Sequence, residues 1–216
     1  MGEFIIVVPC YDEAEALPSF LEEIDKVGVA VLFVNDGSTD NTLTLIKKSG
    51  YLYLDLKEHV GKQRAIQKGL ELALALNYEY FGVMDADLQD NPKLLSSMLE
   101  TIKCVSSLDQ IVVCRKNVFY SSVLKDLAYL AFYGIAKIKG GVVFGERDYR
   151  VMQRELVMKV VNNYREPFSK VCNHYAKSTM LLRCHYSKRE YGVTKFSMGE
   201  LIKHAFSLLQ NKGELL

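Results

Sequence analysis

Short apolar runs along this chain alternate with polar turns and with stretches whose apolar residues recur at helical spacing. Phe4–Pro9 predicts a first strand, and Leu17, Phe20, Leu21 and Ile24 predict a helix from about Glu15 to Val27. Ala30–Val34 reads as a second strand that runs into Asn35-Asp-Gly-Ser-Thr-Asp-Asn-Thr42. Gly37 permits a tight turn there, and Ser38 or Thr39 is placed to cap the helix that carries Leu43 and Ile46. Tyr51–Leu56 is a third strand, Gly61 opens a periodic helix to about Leu76, and Tyr80–Met84 is a fourth strand. Pro92 suits the first turn of the next helix, and Gln110–Arg115 is a fifth strand. This alternation predicts an α/β fold, a mostly parallel sheet with helices on both faces.

Beyond Arg115 the pattern changes. Val123–Ile138 is apolar almost all round, with ten uncharged residues between Asp126 and Lys137. That is short of the roughly 18 to 20 residues that span a bilayer. Lys125, Lys137, Lys139, Tyr129 and Tyr133 suit either a helix lying at a membrane interface or a core helix. A second amphipathic stretch covers Met198–Leu209, and the N-terminus shows no secretory signal. The expectation is one domain over residues 1–216, with a nucleotide- and metal-binding half (1–115) and an acceptor- and membrane-facing half (116–216).

Charge sharpens that division. Residues 1–100 carry 8 Lys/Arg against 17 Asp/Glu, whereas residues 101–216 carry 19 against 9. An acidic half able to hold a cation precedes a basic half suited to an anionic partner or a membrane surface. No dense basic run with interleaved aromatics argues for nucleic acid. The five cysteines are odd in number, scattered and without a C-x-x-C pair, which fits reduced thiols in a cytosolic protein. A homo-oligomer is compatible with this composition.

The candidate chemistry lies at the predicted strand ends. Phe81–Met84 ends in Asp85, Asp87 and Asp90, and carboxylates two residues apart at a strand end can share Mg²⁺ or Mn²⁺. Pro9, Tyr11 and Glu13 follow the first strand, Asp36 the second, and Lys62 and Arg64 the third. Together with Asp85, Asp87 and Gln89 they offer an aromatic face, a carboxylate for ring N–H or ribose hydroxyls, a cation and a metal cradle. Open α/β sheets bind ligands at this edge, and the inventory is that of a nucleotide-diphosphate site. A dinucleotide-dependent oxidoreductase is disfavoured, because the first strand leads into Pro9-Cys-Tyr and not into G-x-G-x-x-G.

Val8-Pro-Cys-Tyr-Asp-Glu13, Val34-Asn-Asp-Gly-Ser-Thr-Asp40, Gly61-Lys62 and Asp85-Ala-Asp-Leu-Gln-Asp90 resemble the GT-A-fold, family 2 glycosyltransferases. Asp148-Tyr-Arg-Val-Met-Gln-Arg154 and Arg189-Glu-Tyr-Gly-Val-Thr-Lys195 resemble motifs of its polyprenyl-phosphate branch, the dolichol-phosphate mannose synthase and bactoprenol glucosyltransferase type. The resemblance implies that Asp87 and Gln89 hold the metal, with Asp85 near the ribose or a metal-bound water. Pro9, Tyr11, Glu13 and Asp36 would frame the nucleoside, and Lys62, Arg64 and Ala86 would complete the donor site. Arg115, Arg150, Arg189 and Lys195 would meet the phosphates of donor and lipid acceptor, with Asp148 beside them. The implied activity is metal-dependent, inverting transfer from a nucleotide-sugar donor to a polyprenyl phosphate at the cytoplasmic face of a membrane, the donor being a UDP-sugar in preference to GDP-mannose.

An ionised lipid phosphate needs no general base, only cations that align two anions, and arginine forks suit that task. A saccharide hydroxyl as acceptor would need a base, for which Asp148 or Glu146 is the candidate. Nucleotide-sugar binding without catalysis is the third reading. Relatives of this branch often continue into transmembrane helices, whereas this sequence ends at Leu216, soon after its amphipathic stretch. The corresponding expectation is either a short form attached peripherally to the membrane or a sequence cut before a membrane anchor. Arg64 also stands where a small residue is usual, which bears on donor fit.

Overall fold

The structure is a computed structural model that describes residues 3–115, 146–164 and 167–184. The predicted elements of the first half are all present: β1 (Phe4–Cys10), α1 (Leu17–Val27), β2 (Ala30–Asp36), α2 (Thr42–Ser49), β3 (Leu52–Leu56), α3 (Lys62–Ala75), β4 (Tyr80–Val83), α4 (Leu94–Cys104) and β5 (Gln110–Arg115). The second half adds β6 (Glu146–Gln153), α5 (Arg154–Asn162), α6 (Phe168–Tyr175) and β7 (Thr179–Cys184). The stretches 123–138 and 198–209, and Arg189 and Lys195, lie outside the described residues.

All these strands join one sheet in the order β3-β2-β1-β4-β6-β5-β7. Neighbours pair in parallel except at β6, which runs antiparallel to both β4 and β5. The second half therefore inserts a strand into the centre of the first half's sheet. Because β6 is reversed, its beginning meets the C-terminal edge of the parallel strands. Val83 pairs with Arg150, so two residues further on Asp148 comes level with Asp85.

Strand alternation sorts the core into two layers. Phe4, Ile6 and Val8 of β1, Phe33 of β2 and Tyr149 and Val151 of β6 face α1, α2 and α4, where they meet Leu17, Phe20, Ile46, Leu95 and Met98. Ile5, Val7, Val34, Phe81, Val83 and Met152 face the other way, against Ala65, Ile66 and Leu70 of α3, Leu156 and Val157 of α5 and Phe168 of α6. Strands buried on both faces read as continuous apolar runs, which is why they were legible. The α3 helix lies close over β1 and β2 because Gly69 faces them. A Cβ there would stand 2.4 Å from Val7 Cγ1 and 2.7 Å from Val34 Cγ2. The five cysteines are free thiols. Among the described residues no helix is long and apolar enough to cross a membrane.

Two local expectations are corrected. Neither Ser38 nor Thr39 caps α2: the Thr42 N–H is taken by Asp40 Oδ1 at 2.9 Å, one residue after Thr39. Ser38 Oγ instead accepts the Asp12 N–H at 3.0 Å. The helix after Pro92 begins at Leu94, and Asn91 Oδ1 accepts the Lys93 N–H at 3.0 Å in the turn before it.

Candidate active site

The loops after β1 and β2 are sewn together. Asp12 takes a positive φ of 50°, and its Oδ1 accepts the Thr39 and Asp40 N–H groups at 2.7 and 3.3 Å. In return, Thr42 Oγ1 accepts the Glu13 N–H at 2.8 Å and Asp40 Oδ2 the Ala14 N–H at 3.1 Å. Reciprocal bonds of this kind satisfy backbone donors that loops otherwise leave to water. They hold Tyr11 and Glu13 at the sheet edge, next to the buried Pro9.

Asp36, expected to face the nucleoside, is committed first to its own chain. It is almost wholly buried; Oδ1 accepts the Val60 N–H at 2.8 Å and Oδ2 the Gly61 N–H at 3.0 Å. The loop into α3 is thereby drawn over the end of β2. It passes so near Gly37 that a Cβ there would lie 2.6 Å from both Glu58 C and His59 N. Gly37 also has φ of 66°, so glycine is required on both counts. The His59 ring stacks on Tyr11 and points Nδ1 at Asp36 Oδ2, 2.9 Å away. His59 is not legible in the sequence, because its spacing from Asp36 carries no signal without the loop's path.

On the far side of β1 the carboxylates gather around Lys62. Its Nζ lies 2.8 and 2.9 Å from the two oxygens of Asp85 and 3.0 Å from Asp148 Oδ2. Gln63 donates to the same Asp148 oxygen at 3.2 Å while its Oε1 accepts the Phe168 N–H at 2.6 Å. One turn of α3 thus ties β4, β6 and α6 together. After Asp85 the chain buries Ala86 and Asp87, and Leu88 adopts φ of 57°, a conformation that costs a branched-chain residue of order 1–3 kcal/mol. That turn folds Gln89 back so that its N–H donates to Asp87 Oδ1 at 3.1 Å.

The Asp148–Arg154 segment distributes its residues by the two-residue period of a strand. Asp148 reaches Lys62. Tyr149 points to the opposite layer, where its hydroxyl donates to the Asn91 carbonyl at 3.0 Å. Burial, with the Asp90 charge nearby, pushes that phenol far above its ordinary pKa, so it stays a donor. Arg150 is corrected: expected against phosphates, it is fully buried beneath the site, donating Nη1 to Gln110 Oε1 at 3.0 Å, its guanidinium 5.2 Å from the Phe168 ring centroid. Arg154 donates to the Tyr78 and Leu74 carbonyls at 2.7 and 3.2 Å, closing the C-terminal end of α3. Arg64 is corrected too. It lies on the outer face of α3, with Nη1 on Gln67 at 2.9 Å and its guanidinium 5.3 Å from the Tyr164 ring centroid. The backbone of Arg115 ends β5 at the same edge.

Asp85, Asp87 and Gln89 offer oxygen donors only, the chemistry that suits a hard divalent cation. Among the described residues no three His, Cys, Asp or Glu side chains converge into a complete cage. A cation held here would draw its remaining ligands from water and substrate, as Mg²⁺ commonly does.

A mostly parallel sheet with an aromatic ring, carboxylates and a lysine at successive strand ends defines a GT-A-type α/β protein. Residues 5–161 match the model of the Glycosyl transferase family 2, and the chain belongs to that family. It is 26% identical to the undecaprenyl-phosphate 4-deoxy-4-formamido-L-arabinose transferase of Pseudomonas fluorescens, over 94% of this chain and 63% of that protein. This chain thus spans less than two thirds of that relative's length. In fold it resembles the glucosyl-3-phosphoglycerate synthase of Mycobacterium tuberculosis, with a TM-score of 0.63 and 15% identity over 96% of this chain and 77% of the other. S. aureus TarS in complex with UDP-GlcNAc superposes with a TM-score of 0.60 and 16% identity, covering 97% of this chain and 67% of that one.

Proposed function

We propose that this protein transfers a sugar from a nucleotide-sugar donor, a UDP-sugar in preference to a GDP-sugar, to a polyprenyl phosphate, with Mg²⁺ or Mn²⁺ as cofactor. The observation that carries this reading is similarity along 94% of the chain to a transferase named for undecaprenyl phosphate. The convergence of Asp85 and Asp148 on Lys62 at the sheet edge supports it.

In this reading Tyr11, Pro9, Glu13 and the Asp36 loop hold the nucleoside, and the diphosphate runs along the edge toward Lys62. Asp87 and Gln89, with Asp85 beside them, hold the divalent cation, which as a Lewis acid offsets charge on the departing diphosphate. Lys62 sets an ammonium between Asp85 and Asp148, where it lessens the repulsion that these carboxylates would exert on the phosphates. Attack by a phosphate oxygen from the face opposite the leaving group inverts the anomeric carbon. The acceptor phosphate is already ionised, so Asp148, tied to an ammonium and an amide, serves as a positioning group and not as a base. The basic second half, including Arg115, Arg189 and Lys195, suits peripheral contact with an anionic membrane surface and the lipid phosphate.

The test is transfer of radiolabelled sugar to a short-chain polyprenyl phosphate across a panel of UDP- and GDP-sugars with Mn²⁺ or Mg²⁺. Organic-extractable label that requires metal and is lost in Asp87→Ala is expected. Nucleotide binding without any lipid product would overturn the acceptor.

A further inference from the structure

The loop between β3 and α3 sets a ring against Tyr11. The His59 imidazole stacks on the Tyr11 phenol with centroids 3.9 Å apart and planes 29° from parallel. Its Nδ1 lies 2.9 Å from Asp36 Oδ2 and 3.3 Å from the Asp36 carbonyl oxygen. Both neighbours are acceptors, so Nδ1 carries a hydrogen and donates it. An aromatic face with a carboxylate at its rim selects one kind of guest, a flat heterocycle with an N–H in its edge. His59 is such a heterocycle, and it is already in place.

We infer that the His59 side chain is a built-in occupant of the nucleobase position, displaced by the donor's base on binding, and so a determinant of donor affinity and base choice. The inference rests on the nucleotide-sugar reading above. A centroid separation of 3.9 Å leaves no space for a third ring between the two, so a base that stacks on this face of Tyr11 must take the place of the imidazole. The side chain is 49% exposed while that of Asp36 is 2% exposed. The ring can therefore swing out at little loss of burial while the carboxylate stays. Asp36 does not depend on His59 for its position, because the Val60 and Gly61 N–H groups hold one oxygen each. When the imidazole leaves, Oδ2 regains capacity for one N–H donor. A single edge N–H such as that of uracil matches this. His59 touches no reacting bond, and its part is confined to binding.

Calorimetric titration of UDP and GDP into the wild-type protein, His59→Ala and Tyr11→Ala tests the inference. His59→Ala is expected to bind UDP about 3- to 10-fold more tightly than wild type, the loss of one competing stack, and Tyr11→Ala more weakly. In the wild-type protein, long-range ¹H–¹⁵N spectra of the four histidines give a readout free of any folding defect. UDP should release the His59 ring protons from the Tyr11 ring current. Weaker UDP binding by His59→Ala, or His59 signals that stay ring-current-shifted at saturating UDP, would make His59 part of the shelf and overturn the inference. If none of the three proteins binds either nucleotide, the donor reading itself falls and takes this inference with it.

Discussion

Two acidic residues at the same sheet edge are held in opposite ways. Asp36, at the end of β2, is buried and clamped by two backbone N–H groups of the loop it organises. Asp85, beyond β4, is partly exposed and held by the mobile end of a lysine that it shares with Asp148. Backbone donors fix a carboxylate at small entropic cost, whereas a lysine ammonium on four methylenes exchanges partners readily. The Asp36 side of the edge, proposed to hold the nucleoside, is thus built in advance, and the Asp85 side, proposed to meet the phosphates, is poised to rearrange around charge. Substitutions on the first side should cost stability, and those on the second should cost turnover with the fold intact.

The largest effect is expected at Asp87. Asp87→Ala should lower sugar transfer by about 10²- to 10³-fold, with unchanged circular dichroism; retained turnover would place the cation elsewhere. Gly37→Ala should act on the other side of the comparison. Its Cβ would meet backbone atoms at 2.6 Å, so urea unfolding should show a loss of about 2–3 kcal/mol. A loss under about 0.5 kcal/mol would mean that the loop yields, and the rigid side would not be rigid. Lys62→Met should leave stability within about 1 kcal/mol of wild type, since all three charged groups are partly exposed. The same change should cut kcat/KM roughly 10- to 30-fold. If it unfolds the protein instead, the lysine is a structural anchor like Asp36. Gln63→Leu is the mildest, expected to raise KM for the acceptor a few-fold with kcat nearly unchanged, because it loosens Asp148 without removing it. Gln63→Glu, which keeps the acceptor for the Phe168 N–H but loses the donor to Asp148, separates its two contacts.

The same contrast explains what could be read in advance. β1, β2, β4 and β5 were legible because these strands are buried on both faces and their loops begin where an apolar run stops, whereas β3 is an edge strand with Leu52 and Tyr53 exposed. Tyr11, Asp36, Lys62, Asp85 and Asp87 were placed at one edge by that alternation alone, and the structure brings them there. β6 was not legible as a strand. Its Asp148 and Arg150 break the apolar alternation, because one meets Lys62 at the sheet edge and the other is buried with a polar partner, Gln110, that lies 40 residues away. The resemblance set Arg150 against the phosphates and Arg64 in the donor site, yet an aromatic ring and an amide claim each of them. His59 was missed because a histidine in a polar loop carries no periodicity. Only the path forced by Gly37 and Asp36 brings it onto Tyr11.

A lipid phosphate acceptor needs no base, and the most direct test offers one lipid chain in two forms. With the same nucleotide-sugar and metal, the protein should glycosylate a short polyprenyl phosphate and leave the corresponding free polyprenol untouched. Asp148→Asn should slow that reaction without abolishing it. Product from the alcohol, or from a saccharide in place of the phosphate, together with complete loss of activity in Asp148→Asn, would contradict the account and make Asp148 a catalytic base.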